Sequence, residues 1–217
     1  MVKIAIIGLG YVGLPLSVQF ARSGVAVLGL DIDQQKVDSL NAGKSYIQHI
    51  GNETIQSILD SGHFSASTDF SEVSKLDASI ICVPTPLGNN REPDISYVLQ
   101  TAHSIAPHIA QGSLIVLEST TYPGTTDTDL RLALEADSGM QAGKDFHLAF
   151  SPEREDPGNS NSVVATIPKV IGGHTPTYLE KANELYMQAL KSLVPVSSCR
   201  AAEATNHPSL NYNELAA

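Results

Sequence analysis

The sequence predicts an α/β fold of the Rossmann type, in which a doubly wound, mostly parallel sheet carries helices on both faces. Two features of the 217 residues lead to this prediction. Short apolar runs rich in β-branched residues alternate with helical patterns, which is typical of strand–helix–strand units. These runs are apolar at consecutive positions, as strands are when helices cover both sides of a sheet. A chain of this length holds one large domain or slightly more.

Seven strands are predicted from the apolar runs, and the last two are short. The strands are Lys3–Ile7, Val25–Leu30, Ser79–Val83, Ser113–Leu117, His147–Phe150, Val170–Ile171 and Val194–Val196. Helical spacing of apolar residues predicts six helices. The helices are Val12–Arg22, Gln34–Asn41, Thr54–Ser61, Ile95–Ile109, Thr126–Ala136 and Thr177–Ser192. The last helix is expected to begin at Thr175-Pro176, because threonine at the N-cap and proline in the first turn are common helix starts.

The composition disfavours several classes of function. With 13 Lys+Arg against 23 Asp+Glu, the formal net charge is −10, so a basic face for nucleic acid or an anionic membrane is not expected. No apolar segment is long enough to predict a transmembrane helix. Cys82 and Cys199 lack metal-site spacing and the histidines form no metal-binding pair, so no metal is predicted. Two isolated cysteines indicate a reducing, cytoplasmic compartment.

A glycine-rich turn, G-L-G-Y-V-G, follows the first predicted strand and opens a helix. In such a turn the first glycine, Gly8, permits a tight bend, and Gly10 lets the backbone approach a pyrophosphate. The third, Gly13, lets the helix pack closely on the strand. The sequence therefore predicts a dinucleotide-binding loop. A glycine-rich turn without a ligand is the structural alternative.

The residues after this turn indicate which dinucleotide is bound. The N–H groups at the helix start, including those of Tyr11 and Val12, are expected to face the phosphates. The second strand ends in Asp31, about 20 residues after the first glycine, where an acidic side chain accepts the ribose hydroxyls. Asp31 and Asp33 would oppose the extra phosphate of NADP, with no arginine nearby. The sequence therefore predicts NAD as the cofactor.

Three predicted strands end in proline-containing loops that carry hydroxyls or carboxylates. The loops are Pro84-Thr85-Pro86, Glu118–Thr126 and Ser151–Gly158. Ligands bind at the carboxyl ends of strands in an open α/β sheet, and rigid loops hold side chains in one position. Each loop also has a structural interpretation: a rigid turn at Thr85, a helix N-cap at Thr125 or Thr126, and a solvated acid at Glu153. Three such loops beside a dinucleotide loop favour a binding site.

Five motifs, in this order, make the chain resemble the UDP-glucose/GDP-mannose dehydrogenase family of NAD-dependent nucleotide-sugar 6-dehydrogenases. The motifs are G-L-G-Y-V-G-L-P-L, V-P-T-P-L, E-S-T-T-Y-P-G-T-T, F-S-P-E-R-E-D-P-G-N and K-V-I-G-G. The resemblance extends from Met1 to Thr205. The forms Y-P-G-T-T and D-P-G-N are most similar to the branch that acts on UDP-N-acetylhexosamines or their uronate derivatives.

The resemblance implies a role for individual residues. Those implied to bind NAD or line its site are Gly8, Gly10, Tyr11, Val12, Gly13, Asp31, Thr85, Pro86 and Thr120. Thr120 would also position a water or hydroxyl beside the sugar C6, and Glu153 would serve acid–base chemistry. Arg154 and Lys169, with Glu153, would border the UDP-sugar substrate.

The resemblance also implies what the reaction requires. Family members oxidise the sugar 6-hydroxyl to a carboxylate with two NAD, hold the aldehyde stage on a cysteine of a second domain, and form homodimers. Cys199 lacks the glycine-rich surroundings of that cysteine. The sequence predicts an NAD-binding domain over residues 1–199, then the start of an interdomain helix and an irregular tail over residues 200–217, because Pro208 cannot continue a helix. On this expectation the chain is inactive alone.

Two other functions are left open by the sequence. One is a non-catalytic NAD-binding remnant or truncated gene product. The other is a Rossmann dehydrogenase of the β-hydroxyacid type, which would place a catalytic lysine on a later helix.

Overall fold

In the part of the chain that the structure describes, eight strands form one sheet, in the order β3-β2-β1-β4-β5-β6-β7-β8. The structure is a computed structural model and describes residues 2–88, 93–152 and 168–205. The strands are β1 (Lys3–Ile7), β2 (Ala26–Leu30), β3 (Phe64–Ser67), β4 (Ala78–Ile81), β5 (Leu114–Leu117), β6 (His147–Phe150), β7 (Lys169–Gly173) and β8 (Leu193–Val196). Neighbouring strands are parallel except for β6 and β7. The predicted Rossmann-type, mostly parallel sheet is confirmed.

Helices cover both faces of the sheet. They are α1 (Gly13–Arg22), α2 (Gln34–Asn41), α3 (Asn52–Asp60), α4 (Ser96–Ile105), α5 (Arg131–Ser138), α6 (Pro176–Tyr186) and α7 (Cys199–Ala204). In β1, Ile4 and Ile6 join the apolar core that includes α1, α2, α3 and α6. Ala5 and Ile7 join the core that includes α4, α5 and α7. The consecutive apolar residues of the strands therefore serve two separate cores.

The strand β3 is absent from the sequence-based prediction. Its sequence, F-S-A-S, buries Phe64 and Ala66, while Ser65 is exposed. It lies at the edge of the sheet and pairs with β2. An edge strand with one face exposed to solvent is hard to recognise from an apolar run, because half of its positions can be polar.

Two predicted helices are shorter in the structure. The helix predicted over Ile95–Ile109 ends as α4 at Ile105 and continues as a 3₁₀ turn over Ala106–His108. Pro107 in this turn lacks the N–H that an α-helix requires. The helix predicted over Thr177–Ser192 begins as expected, with Thr175 at the N-cap and Pro176 first, but ends at Tyr186.

The last residues of that predicted helix form a turn into β8. Ala189 and Leu190 are buried, and they lie three and four residues after Tyr186, as core residues of a helix would. Their N–H groups both donate to the Tyr186 carbonyl, at 3.0 and 2.8 Å. Apolar spacing therefore extended the predicted helix beyond its true end. The helix predicted over Thr126–Ala136 begins instead as a π-helical segment, Thr125–Leu130, and continues as α5.

The reversal of β7 determines which residues meet at one edge of the sheet. Strands β1, β4, β5 and β6 all end at this edge, and β7 is antiparallel to β6. The first residue of β7, Lys169, therefore lies at the edge where the other strands have their last residues. This places Lys169 beside the loop that follows β5.

Helix α7 follows β8 and packs on the sheet through Cys199 and Ala202. The sequence predicts the start of a helix here, and the helix is present. The predicted irregular tail from Asn206 lies outside the described residues, as does Pro208. The domain boundary at residue 199 stays a prediction. Within the described ranges, every helix is too short or too polar to cross a bilayer.

Candidate functional site

The strand order reverses direction between β1 and β4, and a cavity opens at their carboxyl ends. The chain leaves β1 toward α1 on one face and leaves β4 toward α4 on the other, so the two loops diverge and leave a crevice. The cavity has a volume of about 780 Å³. It is lined by seven of the predicted site residues. They are Gly8, Gly10, Tyr11, Val12, Asp31, Thr85 and Thr120.

The glycine loop has the geometry that its sequence predicts. Gly8 adopts φ +92°, and a Cβ there would lie 2.6 Å from the Cys82 carbonyl oxygen. A Cβ on Gly13 would lie 1.9 Å from the Gly8 carbonyl oxygen, so α1 can approach β1 only with glycine here. Gly13 supports the loop from beneath and does not line the cavity. A Cβ on Gly10 would meet nothing within 4 Å, because Gly10 faces the open cavity.

The backbone of this loop can receive an anion. Among the described residues, none accepts a hydrogen bond from the N–H groups of Gly10, Tyr11 and Val12. No described side chain caps the start of α1. Unpaired N–H groups at a helix start attract phosphate through hydrogen bonding and the helix dipole. The loop therefore fits the pyrophosphate of a dinucleotide.

Asp31 stands at the end of β2, beside the glycine loop, and is 6% exposed. Its Oδ2 accepts hydrogen bonds from the Leu9 N–H at 2.9 Å and from Lys36 Nζ at 3.3 Å, and its Oδ1 accepts one from the Asp33 N–H at 3.0 Å. The carboxylate therefore fixes the glycine loop and still lines the cavity, where ribose hydroxyls can reach it.

Two neighbours of Asp31 were missed by the sequence-based prediction. Lys36, in the first turn of α2, lines the cavity and pairs with Asp31. Tyr46, in the segment after α2, donates its hydroxyl proton to the Leu9 carbonyl at 2.5 Å. Lys36 could have been suspected, because it falls in the helix that follows the acidic strand end. Nothing in the local sequence indicates the contact of Tyr46, since it spans 37 positions of chain.

The loop after β4 places Thr85 and Pro86 differently. Thr85 lines the cavity. Pro86 does not line it, and its carbonyl accepts a hydrogen bond from the Asp94 N–H at 2.8 Å, which closes the loop ahead of α4. Cys82, at the end of β4, is 7% exposed, lies in the core and borders the cavity.

The loop after β5 brings Thr120 to the cavity. Ser119 is buried and donates to the Val83 carbonyl at 2.8 Å, which ties this loop to the end of β4. Thr120 is the next residue and is exposed to the cavity. Tethering the loop at Ser119 holds the Thr120 hydroxyl near the position where a ligand of the cavity would lie.

A buried ionic cluster lies beneath this loop. Glu118 is 1% exposed, and its carboxylate oxygens accept hydrogen bonds from Lys169 Nζ and from the Tyr186 hydroxyl. Lys169, predicted to border the substrate, is itself 6% exposed. Lys169 does not line the cavity, but its ammonium contacts Glu118, which does. A contact of Lys169 with substrate stays a prediction.

The start of the helix after this loop is capped from a distant part of the chain. The sequence predicts Thr125 or Thr126 as the N-cap, but Gly124 occupies that position with φ 107° and offers no side chain. Glu203 of α7 supplies the acceptors instead: its carboxylate receives the N–H groups of Gly124 at 2.6 Å and Thr126 at 2.8 Å. The predicted N-cap was wrong because the cap is tertiary rather than local.

A second contact ties α7 to the same helix start. Arg200 donates from Nε to both carboxylate oxygens of Asp127, at 3.1 and 2.9 Å. Cys199 is buried, its thiol contacts the Gly172 carbonyl at 3.5 Å, and burial raises its thiol pKa. A buried, protonated thiol is a poor nucleophile.

Two predicted site residues, Glu153 and Arg154, lie outside the described residues. Their predicted roles stay predictions.

Comparison with known proteins agrees with this geometry. Residues 2–190 match the family model for the NAD binding domain of the UDP-glucose/GDP-mannose dehydrogenase family. The chain is 33% identical over 203 residues to the UDP-N-acetyl-D-glucosamine 6-dehydrogenase of Pseudomonas aeruginosa, covering 93% of this chain and 47% of that protein. It is 36% identical over 207 residues to the UDP-N-acetyl-D-mannosamine dehydrogenase of Escherichia coli K12, covering 92% and 49%.

A solved structure shows the same fold. The NDP-N-acetyl-D-galactosaminuronic acid dehydrogenase of Methanosarcina mazei Go1 superposes with a TM-score of 0.86 at 34% identity, covering 94% of this chain and 46% of that one. The chain thus spans about half the length of the relatives it matches. A glycine loop, an acidic strand end and a family match over most of the chain lead to one conclusion: this chain belongs to the UDP-glucose/GDP-mannose dehydrogenase family and carries its NAD-binding domain.

Proposed function

We propose that the chain serves an NAD-dependent oxidation of the C6 hydroxyl of a UDP-N-acetylhexosamine to a carboxylate, with two NAD consumed per sugar. One observation carries the proposal: the glycine loop, the Asp31 carboxylate and the Thr120 hydroxyl line one cavity. The substrates named for the relatives support the choice of sugar. NAD, when bound, supplies the hydride acceptor.

Different residues of the cavity would contact different parts of the cofactor. The Asp31 carboxylate would accept hydrogen bonds from the adenosine ribose hydroxyls. The N–H groups of Gly10, Tyr11 and Val12 would donate to the pyrophosphate. Thr85 and Thr120 line the other side of the cavity, and we expect them near the nicotinamide half, since they follow the strands β4 and β5.

On the substrate side, Thr120 would hold a water or the sugar hydroxyl in place for proton transfer. Glu153 would accept that proton, with Arg154 and Lys169 bordering the sugar nucleotide. Lys169 would act from the ionic cluster with Glu118. The domain limit at residue 199, a homodimer and a cytoplasmic location belong to the same proposal.

Preference for NAD over NADP tests the cofactor part. The extra phosphate of NADP would face the Asp31 carboxylate, and Lys36, the cation beside it, is already paired with that carboxylate. We expect tighter binding of NAD in calorimetric titrations. Tighter binding of NADP would overturn this part of the proposal.

Substrate screening tests the reaction. The chain is mixed with NAD and, separately, with UDP-N-acetylglucosamine, UDP-N-acetylmannosamine, UDP-glucose and a β-hydroxyacid, and NADH is followed by its absorbance. Because the sequence predicts that the chain is inactive alone, we expect no full oxidation of a sugar nucleotide, at two NADH per sugar, by the chain by itself. Two NADH per UDP-N-acetylhexosamine would contradict the predicted inactivity and would support the proposed reaction directly. NADH formed with the β-hydroxyacid alone would instead support a hydroxyacid dehydrogenase.

A further inference from the structure

The segment between α2 and α3 lies against the glycine loop and is anchored at several points. Ile47 and Ile50 are 3% and 8% exposed and belong to the core that includes α1. The Ser45 N–H donates to the Asn52 side chain at 2.8 Å. Tyr46 stands between these anchors with 36% of its surface exposed. Its ring is therefore held in place while its hydroxyl reaches the Leu9 carbonyl.

Both polar groups of the Leu9 backbone are held by side chains. The N–H donates to Asp31, and the carbonyl accepts from Tyr46. In a trans peptide the carbonyl and the following N–H point in opposite directions, and the described residues contain no cis peptide. When Tyr46 fixes the Leu9 carbonyl, it also fixes the Gly10 N–H on the opposite side of the same peptide unit.

That N–H group belongs to the cofactor cavity. Gly10 lines the cavity, and none of the described residues accepts a hydrogen bond from its N–H. Without the Tyr46 contact, the nearest hydrogen bonds of the described residues lie on the neighbouring peptide units, where Asp31 accepts from the Leu9 N–H and the Gly10 carbonyl accepts from the Leu14 N–H. A donor that is oriented before the ligand arrives binds more tightly, because less conformational freedom is lost on binding.

The Tyr46 hydroxyl keeps its proton under ordinary conditions. Burial and then the charges of Asp31 and Asp33 raise its pKa. Lys36, whose ammonium lies 6.0 Å from the centroid of the Tyr46 ring, is the nearby cation. The hydroxyl is therefore protonated at neutral pH and donates to the Leu9 carbonyl.

We propose that Tyr46 is a positioning residue of the cofactor site: its hydroxyl holds the Leu9–Gly10 peptide so that the Gly10 N–H faces the pyrophosphate. This inference rests on NAD occupying the cavity. It assigns a function to the segment between α2 and α3, which contributes no lining residue of its own to the cavity.

The test compares Tyr46→Phe with the unaltered chain in calorimetric titrations. Phenylalanine keeps the ring and its packing and removes only the hydroxyl. Loss of one positioning hydrogen bond should raise the Kd for NAD about three- to tenfold. ADP-ribose, which retains the pyrophosphate, should be weakened equally, and adenosine, which lacks it, should bind as before.

The matched control is Tyr178→Phe, which removes a hydroxyl on α6, where the ring packs on His147 of β6, away from the cavity. It should leave all three Kd values unchanged. Equal weakening of adenosine and NAD by Tyr46→Phe would indicate a general structural role and overturn the inference, as would no weakening at all. Failure of the unaltered chain to bind NAD would instead overturn the cofactor assignment itself.

Discussion

Gly10 and Gly13 stand in the same turn but meet different surroundings. A Cβ on Gly13 would collide with the Gly8 carbonyl, whereas a Cβ on Gly10 would project into the cavity. One glycine is therefore required by packing, and the other by the space that a ligand occupies. The two requirements can be separated by measuring stability and binding independently.

Alanine substitutions at the two positions should give opposite results. Gly13→Ala should lower the free energy of unfolding by about 1–3 kcal/mol, because it overpacks the contact between α1 and β1. Gly10→Ala should change it by less than about 0.5 kcal/mol but abolish measurable NAD binding. Urea unfolding and calorimetric titration check the pair. Equal destabilisation by both substitutions would contradict the assignment of Gly13 to packing and of Gly10 to ligand binding.

The ion pair between Lys169 and Glu118 is a second feature at the scale of the residue. Both side chains are at most 8% exposed, so replacing Lys169 takes an ammonium away from a buried carboxylate. Lys169→Met should lower the free energy of unfolding by about 3–5 kcal/mol. Glu118→Gln in addition should restore part of that loss, which a double-mutant cycle measures. Lys191→Met, at an exposed position, is the control; a similar loss there would argue against the pair.

At the scale of the element, α7 is joined to the helix after β5 by a buried carboxylate. Burial raises the pKa of Glu203, and hydrogen bonds from Thr126 and Gly124 offset part of that rise. The folded chain therefore holds this proton more tightly than the unfolded chain does. Stability from this group is present below the ordinary glutamate pKa of 4.5 and is lost as pH rises through the higher folded value.

Glu203→Ala should lower the free energy of unfolding by about 1–3 kcal/mol, because two buried N–H groups lose their acceptor. Glu203→Gln should cost less and should remove this part of the fall in stability with rising pH. Urea titrations over a series of pH values measure both effects. Glu180→Gln, exposed on α6, is the matched control. A pH dependence that survives in Glu203→Gln would assign it to another group.

The elements differ in how far the sequence could predict them. Strands buried on both faces, such as β1 and β6, were predicted at their observed bounds, because unbroken apolar runs have few other uses in a chain of this kind. β3 was missed because its serines reflect an exposed edge. The glycine loop and Asp31 were predictable, since their spacing is local.

Contacts between distant elements were not predictable in the same way. The carboxylate of Glu203 caps a helix start 79 positions earlier, and Lys169 meets Glu118 across 51 positions. No spacing rule for helices or strands relates such residues. They are brought together by the reversal of β7 and by the return of the chain through α6 and β8. The pattern of residues in one sequence does not indicate how the chain reverses at β7 or returns through α6 and β8.

At the scale of the whole molecule, charge opposes the arrival of the cofactor. The chain has a formal net charge of −10, and NAD is also an anion. Salt should therefore speed association, because it screens long-range repulsion while leaving the short contacts of the loop intact. A site that attracts its ligand through a basic surface shows the opposite dependence.

Stopped-flow mixing with NAD measures this effect. Raising ionic strength from about 0.01 M to about 0.1 M shortens the screening length from about 30 to about 10 Å, and the association rate should rise a few-fold. Lys36→Ala, which removes the cation at the cavity, should make the dependence steeper. Slower association at higher salt would show that the local field of Lys36 outweighs the net charge.

The hydrogen bonds that Glu203 accepts also allow the movement of α7 to be measured at two backbone amides. The N–H groups of Gly124 and Thr126 are bonded to a side chain of α7 rather than to their own helix. We therefore expect these two N–H groups to become accessible to solvent when α7 leaves, and less so when only the helix that they begin opens. The rate at which these two amides exchange with solvent deuterium should therefore measure how often α7 separates from the helix start in solution.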